Sequence, residues 1–137
     1  MTKHRIAALT ALPIALLLMT GCSEKYAAER DGKKLGEAIC DLRDAEGQED
    51  AQEAADDVNN ELDDLSNKYA FCTGEDRADV QHNLADLFEL VVQGQPELAQ
   101  QDFAVLERSA DNIADDVNET SRAAWEGVLE GLSECTQ

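Results

Sequence analysis

The sequence predicts an all-α protein: an antiparallel helical bundle of about four helices, with a long last helix open to a kink. Three observations carry that prediction. Beyond residue 22, apolar positions recur at alternating steps of three and four, which is the spacing of one face of a helix. Pro96 is the only proline in that region. β-Branched residues never cluster as a strand requires.

The first segment is of another kind. Met1-Thr2-Lys3-His4-Arg5 is a basic start, and the apolar run Ile6–Thr20 that follows spans 15 residues and contains Pro13. As a helix the run would measure about 22 Å, short of the roughly 30 Å hydrocarbon thickness. Basic residues, a short apolar run and small residues in that order form an export signal. A membrane-spanning helix fits the length less well. Conventional cleavage wants a small residue where Met19 stands.

Met19-Thr20-Gly21-Cys22 resembles the lipobox of bacterial lipoproteins. The resemblance covers residues 1–22. It implies cleavage between Gly21 and Cys22 and acylation of Cys22, which becomes the first residue of the mature chain. It also implies a protein held by lipid on the extracytoplasmic face of the cell membrane. No twin arginine is present, so the general secretory route is expected. The expected organisation is a signal peptide at 1–21, a lipidated N-terminus and polar tether at 22–32, and an acidic bundle domain at 33–137.

Loss of residues 1–21 removes Lys3 and Arg5 but no acid, so the formal charge changes from −19 to −21. Such a surface repels nucleic acid and anionic headgroups, which excludes both as expected partners. The remaining 116 residues suffice for one domain with a modest core.

Within the body, Leu35, Ile39 and Leu42 form the first seam. Its phase does not continue into Ala51 and Ala55, so a turn is expected around Glu46-Gly47-Gln48. Ala51, Ala55, Val58, Leu62, Leu65, Tyr69 and Cys72 form the second seam, with Asp56, Asp57, Asp63 and Asp64 outside it. Thr73 is a candidate cap for the third helix, with Asp76 three residues on. Val80, Leu84, Leu87 and Val91 carry that helix, widened by Phe88. Gly94 and Pro96 read as a stop followed by a start. From Phe103 to Cys135 one spacing holds throughout. Unbroken, residues 97–134 would make a rod of about 57 Å. A break near Asn112 or within Asn118-Glu119-Thr120-Ser121 is the alternative, with Ser121 as the candidate cap.

With Cys22 assigned to lipid, Cys40, Cys72 and Cys135 remain. One bridge and one free thiol are expected in an oxidising compartment. Antiparallel packing puts Cys40 and Cys72 on the order of 25 Å apart, too far for a bridge. Cys72–Cys135 is preferred if the last helix is unbroken. Cys40–Cys135 follows if that helix folds back near residue 115. Three reduced thiols remain the plain alternative.

No cofactor, metal ion or catalytic role is expected. The mature part holds a single histidine, His82, and no Cys-x-x-Cys, whereas zinc wants four N or S ligands. The pairs Asp56-Asp57, Asp63-Asp64 and Asp115-Asp116 lack the alternating acids and central glycine of a calcium loop. They read as solvated faces, with a weak divalent site as the alternative. No serine has a Gly-x-Ser-x-Gly context, and no glycine cluster forms a phosphate loop. Trp125, beside Ala123 and Ala124, is expected to anchor the core or an interface. Lipobox, acidic alanine-rich body and scattered cysteines together resemble the small helical lipoproteins of high-GC Gram-positive bacteria. That resemblance assigns no activity and no binding residue beyond Cys22. A helical interaction module with an envelope protein as partner is the expected function, and a small-ligand or cation-binding lipoprotein is the alternative.

Overall fold

The computed structural model describes residues 25–69, 71 and 74–136. The segment read as an export signal, with Gly21 and Cys22, the cap candidate Thr73, and Cys72 lie outside these residues. The described chain is helical with short connections, and it contains five helices where about four are expected. They are α1 (25–43), α2 (Gln48–Tyr69), α3 (Gly74–Val92), α4 (Pro96–Asp116) and α5 (Glu119–Glu134).

The extra helix arises where the long last segment breaks. α4 ends at Asp116 and Asn118 caps α5, its side-chain oxygen accepting the Ser121 backbone N–H at 2.9 Å. Arg122 reaches back across the reversal and donates to the carbonyl oxygens of Ala114 at 3.0 Å and Asp115 at 3.2 Å. Those are orphan carbonyls at a helix C-terminus, the favourable place for a cation. Asn118, not Ser121, is the cap. Ser121 is fully buried and its hydroxyl donates to the Tyr69 carbonyl oxygen at 2.7 Å.

The other turns follow local chemistry. Gly47 has φ +93° and closes the turn between α1 and α2. Gly94, at φ +69°, ends α3, with the Gln95 N–H donating to the Leu90 carbonyl. This is a Schellman stop, and Pro96 then starts α4 at no cost in hydrogen bonds.

Sequential helices run antiparallel, and an odd number of them makes α1 and α5 parallel. Their contacts advance in step: Lys25 to Glu119 at 2.6 Å, then Lys33 to Glu130 at 3.6 Å and Glu134 at 3.1 Å. The polar segment 22–32 read as a tether is helical from residue 25, and its Ala28 and Gly32 are buried.

Glycine makes the α1–α5 contact close. Ala28, Gly32, Gly36 and Cys40 on α1 repeat every fourth residue, as do Ala123, Gly127, Gly131 and Cys135 at the end of the chain. A Cβ on Gly32 would fall on the Ala124 carbonyl oxygen, and one on Gly127 on that of Glu29. A Cβ on Gly36 would lie 2.9 Å from the Gly131 Cα. The two backbones therefore touch, as small residues four apart on facing helices permit.

One core runs through all five helices. It includes Leu35 and Ile39 of α1, Val58 and Leu62 of α2, Leu87 of α3, Phe103 of α4, and Trp125 and Leu132 of α5. Each such side chain contributes about 1.5–3 kcal/mol of burial.

Candidate functional site

The bundle has two chemically different ends. The first described residue of α1, Phe71 and the α4–α5 reversal share one end. The α1–α2 turn, the α3–α4 turn and the end of α5 share the other. The first of these is the proximal end and the second the distal end.

The proximal end is held by Trp125. Its indole N–H donates to the Phe71 carbonyl oxygen at 2.9 Å, and its ring stacks on that of Phe71 with centroids 4.1 Å apart. Trp125 and Phe71 are both about 1% exposed, so Trp125 is a core anchor. An aromatic pair of this kind adds about 0.5–1.5 kcal/mol beyond area. On the facing side, the Tyr69 hydroxyl donates to Asp31 at 2.9 Å.

The distal end is held by Cys40–Cys135 and Arg43. The structure joins Cys40 to Cys135, with Cα atoms 5.9 Å apart. The preferred Cys72–Cys135 pairing is therefore overturned. The break at Asn118 turns α5 back along α1 and carries Cys135 to the end of α1, the geometry on which the alternative pairing depended. Beside the bridge, Arg43 donates to the Cys135 carbonyl oxygen at 2.7 Å and to Gln100 at 3.1 Å. Its guanidinium lies 4.8 Å from the centroid of the Phe103 ring. One cation thus joins α1, α4 and the end of α5.

Between α2 and α3 lies a cleft of about 380 Å³. Leu42, Ala55, Leu84 and Phe88 supply its apolar surface, and Gln52, Asn59 and Gln81 bring amides to its walls. Its walls lie along the distal and middle parts of the hairpin. A shallower groove adjoins it through Gln52 and is lined by Glu49, Glu53 and Asp56. Ala55, expected in the α2 seam, is half-buried at this cleft, while Ala54 takes the core position.

The paired acids Asp56, Asp57, Asp63 and Asp64 on α2 are exposed; so are Asp115 and Asp116. Asp63 pairs with Arg77 of α3 at 2.6 Å. His82 is exposed and lies 3.4 Å from Asp86. Among the described residues, no group of three or more His, Cys, Asp or Glu is placed to hold a metal ion. No described helix is long and apolar enough to cross a membrane.

Crowding perturbs several carboxyls. Burial raises the pKa of Asp102 on α4, helped by the charge of Asp86 and opposed by His82. One Asp102 oxygen is buried without a hydrogen-bond partner among the described residues. Burial likewise raises Asp41, with Asp44, Asp57 and Asp50 adding to the effect. Along the α1–α5 seam, burial and then a carboxyl neighbour raise Glu29 and Glu37, the neighbours being Glu130 and Glu134. Lys33 lies between those acids, and its hydrogen bond to Glu134 raises its own pKa and lowers that of Glu134.

Sequence reasoning did not identify the glycine ladders, the Arg43 hub or Phe71. The ladders had a signal, since Gly-x-x-x-Gly occurs twice and each copy is followed by Cys after another four-residue step. Arg43 and Phe71 had none, because both act through partners distant in the chain.

No protein-family model matches the chain, and no curated protein and no solved structure matches it either.

Proposed function

We propose that the protein is a lipid-anchored, extracytoplasmic helical interaction module of the bacterial cell envelope, with no catalytic role. The observation that carries this is Met19-Thr20-Gly21-Cys22, with the bundle already helical at residue 25. Acylated at Cys22, the chain would stand with its proximal end nearest the bilayer and the α2–α3 cleft along its side. Counting along α3 from Gly74, the cleft begins at Gln81, about 10 Å from the proximal end. A charge of −21 on the mature chain keeps the body off anionic headgroups.

The second reading is a small-ligand or divalent-cation lipoprotein. The cleft volume of about 380 Å³ favours its small-ligand form, since small-molecule sites begin near 300 Å³. Affinity capture of the lipidated protein from solubilised membranes separates the two. One stoichiometric envelope protein is the expected result. A co-purifying small molecule without a protein partner would favour the second reading and contradict the first.

A further inference from the structure

We infer that the α2–α3 cleft is a docking site for a cationic amphipathic helix of a partner protein. This rests on the interaction-module reading and names the face and the partner chemistry.

The cleft combines two independent features. Its floor is apolar, with Leu84 and Phe88 on α3 and Ala55 on α2. Its flank is anionic, with Glu49, Glu53 and Asp56 on the adjoining outer face of α2 and Glu89 on α3. Among the described residues, no lysine or arginine lines the cleft or the adjoining groove. In the whole stretch from Gln48 to Val92, the only Lys and Arg are Lys68 and Arg77. Both are already engaged at the proximal end, Lys68 with Asp31 at 3.7 Å and Arg77 with Asp63 at 2.6 Å.

An apolar floor alone accepts any hydrophobic segment. The one-signed flank selects among them, because complementary charge steers encounter and like charge is excluded. A second copy of this chain, at −21 in its mature form, would be repelled. The cleft extends about 12 Å from Gln81 to Glu89, which is two turns of helix. Two turns of a partner helix would place apolar side chains over Leu84 and Phe88 and basic ones over Glu49, Glu53, Asp56 and Glu89. The exposed amides of Gln52, Asn59 and Gln81 can donate to and accept from its polar edge. This is helix-in-groove recognition.

The test uses the full chain in zwitterionic nanodiscs, with empty discs as the blank. The probe is a Leu/Lys peptide of about 18 residues with its leucines on one helical face. Its control has the same composition with the leucines spread around the helix. Titration should show saturable one-to-one binding of the amphipathic peptide, at least about tenfold tighter than the control and weakening as salt rises. Ala85→Lys places bulk and positive charge in the exposed wall of the cleft and should weaken binding about tenfold while leaving the melting temperature intact. Asp111→Asn makes the same change in net charge on α4 and should leave affinity within about twofold. Equal binding of the two peptides, or equal effects of the two substitutions, overturns the proposal in favour of non-specific charge attraction. Failure here with a stoichiometric partner still captured from membranes refutes the cleft alone. Absence of any envelope partner refutes the module itself.

Discussion

Gly36→Ala gives the sharpest test of the fold, because two effects of opposite sign compete. In an exposed helix the change would stabilise by about 1 kcal/mol through helix propensity. In this structure the new Cβ falls on the Val128 carbonyl oxygen and lies 2.9 Å from both the Gly131 Cα and the Leu132 nitrogen. Ordinary contact begins at 3.4 Å, so α1 and α5 must separate by at least about 0.5 Å, and further to clear the carbonyl. Every clashing atom is backbone, and the Cys40–Cys135 bridge one turn away opposes separation. Overpacking of this kind costs roughly 1–3 kcal/mol, and the upper end applies when no side chain can swing aside. Net of the propensity gain, Gly36→Ala should destabilise by about 2 kcal/mol. For a domain of this size that is a fall of about 8 °C in melting temperature, read by circular dichroism. Adding Gly131→Ala should cost less than the sum of the two single changes, since separation for one methyl partly accommodates the other. An unchanged or raised melting temperature for Gly36→Ala would show that the two backbones do not meet.

Further outcomes follow from the two ends and the charge. Non-reducing peptide mapping should link Cys40 to Cys135 and leave Cys72 as the alkylated thiol; a Cys72–Cys135 peptide would contradict the α5 reversal. Cys135→Ser opens a bridge spanning 95 residues and should lower stability by about 2–5 kcal/mol in urea unfolding. Arg43→Met removes the bonds to the Cys135 carbonyl and Gln100 and the contact with Phe103. It should cost about 1–3 kcal/mol, whereas a loss within about 0.5 kcal/mol would show that Arg43 is a surface residue. Melting temperature should also rise on acidification. Glu29, Glu37, Asp41, Glu61, Asp102 and Glu107 all have raised pKa values, chiefly through burial. The folded state then binds more protons than the unfolded state just above the ordinary carboxylate range, so stability should grow from about pH 7 to about pH 5. Below that, Glu119 and Glu134, lowered by their bonds from Lys25 and Lys33, lose their contribution as pH falls through their folded pKa values. A melting temperature falling steadily from neutral pH would contradict this, and Asp102→Asn should raise the melting temperature at pH 7.

Much of the fold was legible because it depends on local periodicity. The seams at Leu35–Ile39–Leu42, Val58–Leu62–Leu65 and Val80–Leu84–Leu87 all became buried faces, and Gly47, Gly94 and Pro96 marked real turns. The fifth helix was legible only as an alternative, a break within Asn118–Ser121, because the apolar spacing through Ile113, Val117, Thr120 and Ala124 keeps its phase across it. Periodicity reports a buried face and is blind to a reversal that preserves it. The bridge depended on that reversal, so Cys40–Cys135 stood second to Cys72–Cys135. The segment 22–32 looked like a tether because its charges outnumber its apolar residues. Its burial comes through Ala28 and Gly32, whose small size is what the α5 backbone requires. The cleft was unreadable for a further reason: Gln52, Ala55 and Gln81 carry no signal until α2 and α3 lie side by side.

Lipidation of Cys22 is tested directly by intact mass spectrometry of the protein purified from membranes. The expected species begins at Cys22 and carries a thioether-linked diacylglycerol on that residue, and Cys22→Ser should yield an unprocessed, unlipidated precursor. A wild-type chain that begins elsewhere, retains residues 1–21 or lacks lipid on Cys22 would contradict the account.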